Sequence, residues 1–118
     1  MENASFITNE DGDDLIVSFA IPLEEEGNVK SLTLLRTPKY EFALDESERG
    51  VKIFSDDFSD EENELLEKIA IEGEVVSINT NFRTYTVSIK DVDDMEVEES
   101  KRIIKKMNFD ERFEIRMR

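Results

Sequence analysis

Neither cysteine nor histidine occurs in this 118-residue chain. Without cysteine there is no disulfide, no thiolate nucleophile and no zinc site of the thiolate kind. That points to a reducing, cytoplasmic compartment. Without histidine the chain lacks the commonest general base near neutral pH and the commonest metal ligand. Ser-His-Asp and Cys-His arrangements cannot be assembled from what is left. No run approaches the roughly 18 apolar residues of a membrane-spanning helix. Residues 1–9 have neither the basic start nor the apolar stretch of a signal peptide, so no membrane partner is expected. Glycine-rich phosphate cradles of the dinucleotide or P-loop pattern are absent as well.

Acid is what the chain has in excess. Thirty Asp and Glu face 15 Lys and Arg, a formal net charge of −15. The excess is unevenly spread. Residues 1–100 carry 8 basic and 27 acidic side chains, and residues 101–118 carry 7 basic and 3 acidic ones, so the nets are −19 and +4. A field of this sign repels nucleic-acid phosphates over about 8 Å at physiological salt, so direct nucleic-acid binding is not expected. It attracts basic proteins and speeds their encounter. The plainer reading is that the acids only keep a small domain dissolved. The basic end, with Phe109 and Phe113 among its charges, reads as complementing a helix dipole and lying against acidic neighbours.

The chain is long enough for one domain, 1–118, with a real core. Its four glycines and two prolines fall between apolar runs, as turn residues do. Ser5–Thr8 reads as a short first strand. In 15–21, Leu15, Val17, Phe19 and Ile21 share one face at period two, the signature of a half-buried strand. The run 29–37 follows. Tyr40, Phe42 and Leu44 alternate with Glu41 and Ala43, and Val51 and Ile53 flank Lys52. The period then lengthens: Leu65, Leu66 and Ile69 predict a helix over about 59–69, with Ser59 and Glu62 at capping-box spacing. Residues 74–79 and 83–90 read as a hairpin. A second helix is predicted over about 94–107, acidic early and basic late, with Glu98–Arg102 as an i,i+4 pair. Phe113, Ile115 and Met117 alternate in a terminal strand. The whole reads as an α+β domain: an antiparallel sheet of about six to eight strands with two helices, in the order β-β-β-β(-β)-α-β-β-α-β. A β-roll or barrel with a capping helix is the alternative.

No motif carries chemistry. Asn9 to Asp14 places oxygen ligands at alternate positions, but a calcium-binding loop needs Gly at its sixth position and an acid at its twelfth. Asp14 and Ala20 stand there. With 30 acids in the chain, pairs of carboxylates arise anywhere, and spacing does not single out an acid–base couple. No cofactor, no metal and no enzymatic activity are expected. One local feature stands out, Asn81-Phe82-Arg83 at the tip of the predicted hairpin. There Phe82 and Arg83 are the candidate contacts for a partner. The expected function is therefore a small non-catalytic module for a basic protein, of the inhibitor, immunity or nucleic-acid-mimic type. The alternative is a structural domain that forms a homodimer through the strand edge Arg112–Arg118.

Overall fold

The computed structural model describes residues 1–24, 27–58 and 63–117. It is an α+β fold. Among the described residues the strands are β1 (Glu2–Asn3), β2 (Phe6–Asp11), β3 (Leu15–Pro22), β4 (Val29–Arg36), β5 (Lys52–Ser55), β6 (Leu66–Glu72), β7 (Val75–Thr80), β8 (Thr84–Ser88) and β9 (Glu114–Met117). The one α-helix among them is α1 (Asp94–Met107), and two short 3-10 helices, Pro38–Ala43 and Glu46–Glu48, lie between β4 and β5.

The strands make two sheets, not the single antiparallel sheet that was expected. β2, β3, β4 and β5 form an antiparallel meander in chain order. The other sheet runs β1-β8-β7-β6-β9 and is mixed, because β1 lies parallel to β8 and β9 parallel to β6. Among the described residues, backbone hydrogen bonds join the sheets at two places. Ala4 N–H donates to the Ser88 carbonyl, while the next N–H, of Ser5, donates to Ala20 across the gap. At the other seam Ile53 N–H bonds to Glu64 O, Leu66 N–H bonds to Val51 O, and Lys52 bridges Leu65.

The period-two faces end where burial would put them. Leu15, Val17, Phe19 and Ile21 of β3, Val76 and Ile78 of β7, and Ile103, Ile104 and Met107 of α1 meet in one core. α1 occupies its predicted span. Asp93 caps it, accepting from Met95 N–H at 2.8 Å. The helix also covers the outer edge of β2, where the Glu96 carboxylate takes the Ile7 N–H at 2.8 Å. An edge strand left open would expose such donors to foreign pairing. The expected Glu98–Arg102 pair does not form. Lys101 bonds to Glu98, and Arg102 bonds to Glu99 and to Asp11 of β2.

Two elements differ from expectation in kind. The predicted helix 59–69 begins on residues 59–62, outside the described residues, and its second half is the strand β6. A β-bulge explains the mistaken period. Leu66 pairs with Thr80 and Lys68 with Asn79, so Glu67 is the extra residue between them. A bulge lets Leu66 and Ile69, three apart, both face inward, and three-residue spacing is what a helix shows.

Residues 40–44 are the other case. Residues 40–43 belong to the 3-10 helix Pro38–Ala43, which Leu44 caps, and Glu41 is buried while Tyr40 and Phe42 are 59% and 80% exposed. Arg36 is the cause. It is 1% exposed, and a buried guanidinium needs all five N–H groups bonded. Glu41 accepts from Nε and Nη2, each at 2.8 Å. Asp110 accepts from Nη1 and Nη2 at 2.8 Å, and the Met107 carbonyl takes the last Nη1 proton at 2.7 Å. Phe109 covers the guanidinium at 4.2 Å. One side chain thus ties the end of β4, the 3-10 turn and the C-terminal end of α1 together.

Candidate functional site

The hairpin tip between β7 and β8 holds both residues singled out from the sequence. Thr80 builds its turn. The Thr80 hydroxyl accepts from the N–H groups of Phe82 and Arg83 at 3.1 and 3.0 Å, and Thr80 N–H donates to the Arg83 carbonyl at 2.8 Å. Asn81 then acts as a strand mimic. Its side chain accepts from Leu65 N–H at 2.9 Å and donates to the Asn63 carbonyl at 3.0 Å, which fastens 63–65 to the tip.

That fastening sets Glu64 beneath the hairpin with its side chain only 5% exposed. A buried carboxylate is costly unless it is fully bonded. Glu64 accepts from the Thr80 hydroxyl at 2.6 Å, from Arg83 Nη1 at 3.0 Å and from the Tyr85 hydroxyl at 3.0 and 3.1 Å. The Arg83 guanidinium also lies 3.7 Å from the centre of the Phe58 ring, which meets Tyr85 edge-on. Burial pushes the Tyr85 phenol up from its ordinary value, and the Glu64 charge adds to that. The phenol is held neutral, as a donor.

The two predicted residues therefore stand in different positions. The charge of Arg83 is directed inward onto Glu64 and Phe58. Phe82 is 52% exposed at the tip. Below the tip a cleft of about 240 Å³ runs between the sheets, floored by Ile21, Leu32 and Val87, with Tyr85 and Phe58 on its wall. At its mouth Lys30 Nζ sits 2.5 Å from both Glu2 and Asp57. The Asp57 and Glu2 hydrogen bonds raise the Lys30 ammonium above its ordinary value, so it stays charged.

The rest of the surface is organised by ion pairing. Ten of the fourteen described Lys and Arg are bonded to carboxylates. The basic C-terminal section is included: Arg102 and Lys106 meet Asp11, Arg112 meets Glu46, and Arg116 meets Glu72. Twelve of the twenty-five described acids are used in these pairs, and thirteen have no cation beside them. Among the described residues no cluster of three or more carboxylates is arranged to hold a metal ion. No helix among them is long and apolar enough to cross a membrane.

One surface escaped the sequence reading. The alternation of Tyr40, Phe42 and Leu44 with Glu41 and Ala43 reads as a strand, whereas the segment Pro38–Ala43 is a 3-10 helix. Pro38 is the signal against the strand. It fixes φ and removes a donor at the start of the segment, which suits a helical first turn better than a strand.

Comparison with protein-family models, with curated proteins and with solved structures finds no match to this chain.

Proposed function

We propose that this chain is a non-catalytic module that binds a basic protein. The distribution of ion pairs is the observation that supports it. Most of the molecule's cations are spent inside it, and thirteen described carboxylates are left without one. Nine of these, including Glu10, Glu24, Glu67, Glu74 and Asp91, also accept no hydrogen bond within the described residues and are exposed. Such a surface favours Lys- and Arg-rich partners through long-range attraction. Arrays of carboxylates that replace a phosphate backbone, as in inhibitors of nucleases, use the same physics. A reducing cytoplasmic setting suits a chain without cysteine.

The test is affinity capture on the immobilised chain at low and at high salt. A basic partner that binds saturably at low salt and is released by salt is the expected result. Retention of no basic protein even at low salt overturns the proposal.

A second reading is a structural domain that forms a homodimer, and the edge position of β9 favours it. Sedimentation distinguishes the two: a dimer insensitive to salt supports the second.

A further inference from the structure

We infer that the docking surface for the basic partner is the segment between β4 and β5, with Phe42 as its apolar anchor; this rests on the function proposed above. Phe42 is 80% exposed. Among the described residues no other aromatic ring and no cation covers it, whereas Phe109, Phe58 and Tyr40 each have an Arg or Lys within 6 Å, the nearest 3.7 Å away. Interface anchors have this form, a large ring presented to solvent on a fixed support.

The support is fixed. Arg36 holds Glu41, the residue before Phe42, by two hydrogen bonds. Leu44 N–H donates to the Glu41 carbonyl at 3.0 Å, and Arg49 Nε donates to the Leu44 carbonyl at 3.2 Å. Arg112 reaches across to the Glu46 carbonyl at 3.0 Å. A preorganised loop loses little conformational freedom when it binds. Beside it lies a groove of about 240 Å³ whose walls include Leu35, Tyr40, Leu44 and Phe54.

Charge complementarity selects the occupant. Asp45, Glu46 and Glu48 are exposed within four residues of one another, and Glu48 lines the groove, with Lys52 also on its wall. Asp45 and Glu48 have no cation at all among the described residues. A second copy of the chain would bring another net −15 to this face and be repelled. A Lys- or Arg-rich partner satisfies the carboxylates and can lay a cation or an aliphatic side chain on the Phe42 ring.

The experiment uses the full chain and two eight-residue probe peptides of equal charge, lysine alternating with leucine and lysine alternating with serine. Amide shifts are mapped by NMR and affinities are measured at low salt, for the wild type and for Phe42→Ser. The expected result is shifts concentrated in residues 38–50 and a leucine peptide that binds about tenfold tighter than the serine peptide. In Phe42→Ser that preference is lost while the melting temperature is unchanged. If the peptides bind but the shifts centre on Phe82, or Phe42→Ser keeps the preference, the docking site is wrong and the acidic module stands. If neither peptide binds, the module reading itself falls. Self-association of the wild type that Phe42→Ser abolishes overturns the assignment in favour of a second copy.

Discussion

Replacing Arg36 by methionine removes the charge around which two carboxylates are arranged. Met is close to Arg in length and apolar, so it fills the space and leaves the electrostatics as the difference. In Arg36→Met, Glu41 and Asp110 face one another with no cation between them, and the Met107 carbonyl loses its donor. Breaking a buried pair by removing one partner costs about 3–5 kcal/mol. Asp110 is partly exposed, at 30% of its side chain, so water recovers some of its share and about 3–4 kcal/mol is expected. An unfolding entropy of about 2.1 cal/mol/K per residue gives roughly 0.25 kcal/mol/K for a chain of this size, so the melting temperature should fall by about 12–16 °C at pH 7.

The loss should shrink in acid. Arg36 holds the Asp110 carboxyl at about 2, below its ordinary 3.8. A lowered folded value means stability that is present above pH 4 and lost as pH falls from about 4 to 2. In the variant the same carboxyl keeps only Arg112 Nε, at 2.6 Å, and is neutralised earlier. The gap between the two proteins should therefore close by about 1–2 kcal/mol on going from pH 7 to pH 2.5. Urea unfolding followed by circular dichroism at both pH values measures it. A penalty under about 1 kcal/mol at pH 7, or one that ignores pH, would refute the assignment of Arg36 as the hub.

Two further outcomes are expected. Glu64→Ala removes the acceptor of the Tyr85 hydroxyl and the carboxylate that Arg83 Nη1 meets, and should cost about 2–3 kcal/mol in urea unfolding; Glu64→Gln, which keeps an acceptor oxygen, should cost less than the alanine variant. Gly50→Ala should cost about 1–3 kcal/mol, because φ is +130° there and a Cβ meets only ordinary contacts at 3.9 Å, so the whole penalty is backbone strain. Gly12→Ala, with open space around it, is the control and should stay within about 0.5 kcal/mol; equal effects at both positions would contradict the strain explanation.

Several elements were legible from local pattern because their local and tertiary demands agree. β3 alternates at period two and is buried at period two, and α1 has its cap, dipole-matched charges and apolar stripe in one span. The Gly73-Glu74 turn is also local: a two-residue hairpin loop of this kind needs positive φ at its first position, and Gly73 has φ +60°. The candidate tip at Phe82 and Arg83 was legible as a turn, but the inward direction of Arg83 was not. Glu64 lies 19 residues away in the chain, and nothing local tells an arginine which carboxylate it will meet.

Composition by itself determined the chemistry that is missing, because histidine and thiol chemistry depend on residues being present at all. It determined the sign of the field for the same reason. Tertiary structure alone decided where that acid acts. The bulge at Glu67 turned an apparent helical period into a strand. The burial of Arg36, which must bond all five of its protons, pulled Glu41 inward and turned Tyr40 and Phe42 out to solvent. Which cations are spent internally depends on contacts between distant residues, such as Asp11 with Lys106, and it is that pairing that leaves the remaining described carboxylates without a cation.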